Sequence, residues 1–273
     1  MKKIFVSLAI AMAMIFLFCA CGQEGDTAET TVTEAITGTA TEATTEATTG
    51  DFNFELNPDG KSYSVKAANT DISSDIVIPD SFNGLPVTVI PDFAFATCAK
   101  IASVTIPDSV VKICGSAFLR CTGMKSIHIP NSVTEIGYSA FSSCYNLTSI
   151  DIPDSITKIG NSVFQGCSRL TSITLPSSVI GIQEGAFAGC SSLEEIKIPD
   201  GVIFISAHAF HECSSLKNII LPGGVEHISE YAFFGCTGLQ SITIPAGVFK
   251  INNCAFRLCG SLTDVIYQGT QEQ

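Results

Sequence analysis

The stretch IDIPDSITKIGNSVFQGCSRLTS, residues 150–172, holds one proline, one phenylalanine and one cysteine, and each of them recurs at a fixed interval. Pro153 has counterparts at 107, 130, 176, 199, 222 and 245. Phe164 belongs to a series at 95, 118, 141, 187, 210, 233 and 256, and Cys167 to one at 98, 121, 144, 190, 213, 236 and 259. Every step is 23 residues. A period of this length predicts a stack of similar coils, because one such unit cannot bury its own apolar faces and must share them with its neighbours. The step from Pro79 to Pro107 is 28 residues, and the five extra residues fall in FNGLPVTVIP, residues 82–91.

The residues within one period assign its faces. In LTSIDIP, residues 147–153, Leu147, Ile150 and Ile152 have the L-x-x-L-x-L spacing of a leucine-rich repeat strand. Alternation turns Ile150 and Ile152 inward and Asp151 outward. Pro153 has no N–H to give a parallel ladder and marks where pairing stops. Ile156 and Ile159 return to the core, and Gly160, replaced by Ser206, Ser229 or Asn252 elsewhere, suits a turn or cap. NSVFQGC, residues 161–167, is expected to form a short helical turn with Phe164 and Cys167 pointing in. The eight periodic cysteines are expected to pack as small buried hydrophobes, since parallel Cβ vectors in stacked coils do not meet disulfide geometry. Cys114 and Cys254 lie outside that column and are the candidate reactive thiols.

The composite pattern I-P-x-S-V-x-x-I-G-x-x-A-F-x-x-C-x-x-L-x-x-I resembles the BspA-type leucine-rich repeat of bacterial surface proteins over roughly 76–267. The segment FELNPDGKSYSVKAANTDISSDIVIP, residues 54–79, is similar to the β-rich cap that opens such arrays. The resemblance implies a leucine-rich repeat solenoid, right-handed and mainly β with short helical turns. About eight coils would fill 80–273, behind an N-terminal cap at 51–79. It also implies exposure outside the cell, adhesion or protein binding rather than catalysis, and no cofactor.

The N-terminal segment is of another kind. Lys2 and Lys3 precede the apolar run IFVSLAIAMAMIFLF, and Ala20 precedes Cys21. Residues 1–20 are similar to a bacterial lipoprotein signal, which implies that Cys21 becomes the lipidated N-terminus, that Cys19 leaves with the signal, and that a lipid holds the protein to the membrane. Residues 21–50 are rich in Thr, Glu and Ala with no Lys or Arg, and are expected to be a disordered spacer. Such a spacer spans about 30 Å as a coil and about 100 Å at full stretch. The chain carries a net charge of −12; loss of the two leader lysines makes it −14, and the six acids of the spacer leave −8 on the repeat domain. That balance argues against nucleic acid as a partner.

Candidate chemistry is sparse. His208, His211, Glu212 and Cys213 have a metal-like density, but Cys213 belongs to the inward column, so the pair reads as surface histidines without a metal. Ser149, His128 and Asp151 share the outward strand face, where no pocket or oxyanion hole is expected, so no catalytic residue is assigned. Binding is expected at the variable columns. On the strand face these run through Thr105, His128, Asp151, Thr174, Lys197, Ile220, Thr243 and Ile266. After the proline, later coils place Ile180, Ile203, Phe204 and Phe249 where earlier ones have Thr134, Glu135, Thr157 and Lys158. This apolar set is either a contact site or local packing beneath the chain. The expected ligand is a protein, or alternatively a glycan or cell wall, and the last coil, ending in VIYQGTQEQ, offers an edge for self-association.

Overall fold

A computed structural model describes residues 47–269 as stacked coils of one solenoid. The signal segment, Cys21 and most of the spacer lie outside the described residues. The spacer expectation fails at its end. Ala47–Thr49 is a strand paired antiparallel with Phe52–Leu56, and the chain turns between them at Gly50 with φ +61°. Thr favours extended backbone and Gly permits the reversal, which outweighs the polar composition.

Each coil contributes two short strands. The first rungs are Asp75–Val77, Ser103–Thr105, Ser126–His128, an isolated bridge at Asp151, Ser172–Ile173, Glu195–Ile196, Asn218–Ile220, Ser241–Ile244 and Asp264–Tyr267. Paired rungs run parallel and in register, as in Val104 beside Ile127 and Ile219 beside Ile242. These nine rungs bound the eight Phe-bearing coils. The second strands form two separate parallel sets. One joins Leu85–Ile90, Lys112–Ile113 and Glu135–Ile136; the other runs from Lys158–Ile159 to Lys250–Ile251. The five extra residues of the first coil make a hairpin, Ser81–Phe82 against Leu85–Ile90, whose turn is Asn83 and Gly84 at φ 48° and 78°. Asn-Gly is the pair a turn with two positive φ values selects.

The third face corrects the expected helical turns: the described residues contain no helix. Positive φ recurs four residues apart in every coil, as at Ser116 and Arg120, Ser139 and Ser143, and Gly185 and Gly189. A helix cannot propagate through such residues. Their N–H groups point instead along the solenoid. Ser116, Phe118 and Arg120 donate to the carbonyls of Tyr138, Ala140 and Ser142 in the next coil at 2.7–2.8 Å, while Leu119 and Cys121 donate three residues back within their own coil. This face is therefore also hydrogen-bonded from coil to coil, and the buried backbone is satisfied without a helix.

Inside, the eight periodic phenylalanines stack ring on ring, with centroids 5.2–5.8 Å apart and planes within 15° of parallel. Phe52 closes the first end edge-on, 6.3 Å from Phe95, and Phe54 stacks at 4.2 Å on Phe82 of the first-coil hairpin. All ten cysteines among the described residues are free thiols. Those of the column do more than fill space. Cys167 Sγ donates to the Phe141 carbonyl at 3.2 Å, and the same bond joins Cys144 to Phe118 and Cys190 to Phe164. Each Phe carbonyl thus accepts the cysteine N–H of its own coil and the thiol of the next.

Candidate functional site

The repeated residues face inward, so the surface is written by the columns between them. On the first strand face Thr105, His128, Asp151, Thr174, Lys197 and Ile220 are all exposed. Parallel bridges join His128 to Asp151 and Asp151 to Thr174. The hydrogen-bonded ladder is interrupted between Glu195–Ile196 and Asn218–Ile220. A groove of about 990 Å³ lies across this region, lined among others by Thr174, Glu194, Lys197, Lys217, Ile220 and Pro222. Lys217 Nζ stands 2.6 Å from Glu194 Oε2, and that hydrogen bond and positive charge hold the Glu194 carboxyl below its usual range. Ile220 is 70% exposed.

A second surface lies on the other set of strands. Ile180, Ile203, Phe204 and Phe249 are between 42% and 71% exposed. Such exposure answers the question left by the sequence: these side chains are not packed beneath the chain. His227, which the sequence reading missed, links the two phenylalanines. Its ring is 5.7 Å from Phe204 and 4.3 Å, edge-on, from Phe249. The signal was present, since His227 follows Phe204 by one period and pairs with it in register. The predicted residues therefore divide between two faces. Lys197 and Ile220 share the groove, whereas Phe204 lies in the second sheet and Phe249 directly precedes its last strand, Lys250–Ile251.

The turn face carries a further ring cluster. His208 stacks on Tyr231 at 5.1 Å and 8°, and His211 on Phe234 at 5.0 Å and 9°. Burial lowers the His211 pKa from the usual imidazole value, against the opposing charge of Glu212. Cys213 points away, its thiol 3.2 Å from the Phe187 carbonyl. Among the described residues no three His, Cys, Asp or Glu side chains stand together to hold a metal.

Known proteins match this architecture. A family model described as "BspA type Leucine rich repeat region" matches residues 88–214 and 181–273, with six copies of the repeat. No curated protein matches. Among solved structures, a leucine-rich repeat protein of T. pallidum is similar at 27% identity over 80% of this chain and 91% of its own, with a TM-score of 0.58. A leucine-rich repeat protein from Bacteroides ovatus aligns at 24% identity over 82% of this chain and 72% of its own, with a TM-score of 0.53, a likeness of fold.

Proposed function

Because the chain belongs to the BspA-type leucine-rich repeat family, we propose that it is a lipid-anchored protein of the bacterial cell surface whose solenoid binds a protein partner. The family supports a binding or adhesion role for the solenoid. The observation that carries the partner surface is the cluster around Phe204, His227 and Phe249: large apolar rings held out of the core on a frame whose interior repeats unchanged. Aromatic side chains, phenylalanine among them, are enriched at the cores of protein interfaces. Cys21 is the proposed lipid attachment, the acidic spacer carries the solenoid away from the membrane, and neither nucleic acid nor a cofactor has a role in this reading. The outer edge of Asp264–Tyr267, whose Val265 and Ile266 are 57% and 53% exposed, is the proposed place for self-association. A second reading, a carbohydrate or cell-wall binding module, is favoured by an aromatic-walled cleft at Tyr138.

Two experiments test the main reading. Titration of the full chain against panels of purified surface proteins and of glycans should yield saturable protein binding; binding confined to glycans moves the function to the second reading. Cys21→Ala should abolish incorporation of radiolabelled fatty acid and release the protein from membranes, as expected if acyl chains supply about 0.8 kcal/mol per buried CH₂. Unchanged labelling of that variant contradicts the anchor.

A further inference from the structure

The ladder of second strands is also interrupted, between Glu135–Ile136 and Lys158–Ile159. A cleft of about 440 Å³ opens there. Its cause is visible in the glycine column. At Gly137 the backbone presses so closely on the preceding coil that an added Cβ would stand 2.4 Å from the Gly115 nitrogen; at Gly160, one coil on, the nearest backbone atom is the Ile136 carbonyl oxygen at 3.5 Å. The coil carrying Gly137 therefore sits tight against one neighbour and looser against the other.

Tyr138 forms a wall of the cleft and is 54% exposed. Its ring rests on Gly115, where an added Cβ would lie 2.3–2.8 Å from three ring carbons. The Cδ1–Cε1–Cζ side of the ring is thereby held against the glycine of the preceding coil, and the following coil supplies Lys158 and Asn161 to the cleft. The same cleft is lined by Asn161, Gln183, Glu135, Lys158 and Thr157. Glu135 is fixed by Lys112, whose Nζ lies 2.9 Å from its Oε2. A half-exposed flat ring held by the preceding coil, in a cleft lined by amide, acidic and basic residues, suits a pyranose. The apolar C–H face of the sugar covers the ring, and its hydroxyls pair with groups that both donate and accept.

We propose that this cleft is a saccharide subsite in which Tyr138 stacks on one sugar ring and Asn161, Gln183, Glu135 and Lys158 bond its hydroxyls. It rests on the second functional reading and is separate from the Phe204–Phe249 surface. The test is a titration of the full chain, followed by amide-resolved NMR, with the methyl glycosides of glucose, galactose, mannose and N-acetylglucosamine. At least one should bind saturably, with shifts centred on Gly137–Tyr138 and Lys158–Asn161. Tyr138→Ala should weaken that sugar about tenfold, Tyr138→Phe should hold it, and Gly115→Ala, which unseats the ring without removing it, should weaken it as Ala does. Protein binding through Phe204 and Phe249 should be untouched by all three. The site is overturned if none of the four sugars saturates, or if Tyr138→Ala binds as native. Shifts mapping elsewhere, for instance to the groove at Lys197, would also overturn it while leaving the second reading intact. Should Tyr138→Ala fail to fold, the native shift map and Gly115→Ala decide.

Discussion

Cys167 shows how a single side chain serves the frame. It is fully buried, and its thiol gives a second hydrogen bond to the Phe141 carbonyl, which already accepts the Cys144 N–H of its own coil. Burial also makes the middle of the column unreactive, pushing the Cys144 and Cys213 thiols up to about 12. Cys167→Ala removes the sulfur and the donor together and should cost about 2 kcal/mol, part cavity and part the lost thiol bond to a carbonyl that keeps its Cys144 N–H, measured by urea unfolding. A cost near zero would mean that the column only fills space. His211 makes a different prediction. Burial places its folded pKa below the ordinary 6.5, so the unfolded chain takes up the proton first. Its contribution to stability is complete above about pH 6.5 and is lost as pH falls toward the folded value. The melting temperature should drop on acidification through this window, and His211→Phe should lessen that drop.

At the scale of the strand and turn, the glycines decide how closely coils approach. Gly137→Ala puts a methyl into the backbone of the preceding coil and should cost about 1–3 kcal/mol in thermal unfolding, more than Gly160→Ala, where the closest atom is the Val163 side chain at 3.3 Å and the backbone lies at 3.5 Å. Equal costs would contradict the uneven spacing of these coils. Much of each coil was legible in its sequence, because period and alternation depend only on which residues are apolar. Ile150, Ile152, Ile156, Ile159, Phe164 and Cys167 are buried as expected. The turn face was misread as helical because Phe and Cys three apart fit one helical turn. Positive φ at residues such as Ser139, Ser143 and Tyr231, none of them glycine, leaves little trace in sequence. The thiol–carbonyl bonds were hidden for a related reason: they depend on where the carbonyl points.

Over the whole molecule, an interior that repeats every 23 residues supports an exterior that does not. The sequence already set the strand-face column of Lys197 and Ile220 apart from the post-proline set of Phe204 and Phe249, but it did not show that the first pair shares a groove. Which sheet a column joins depends on how each coil bends after its proline. His227 escaped notice because its ring contacts arise only when neighbouring coils stack. The interruptions of both ladders fall where the two grooves lie.

The most direct measurement compares the native chain with the Phe204→Ser/Phe249→Ser double variant, by surface plasmon resonance against a protein partner found in the purified panel and by thermal melting. The variant should lose at least about tenfold in affinity, the scale of one interface hot spot, while melting within about 2 °C of native, as expected for exposed positions. Native affinity in the variant, or its unfolding, would contradict the division between a repeating frame and a binding surface at these rings.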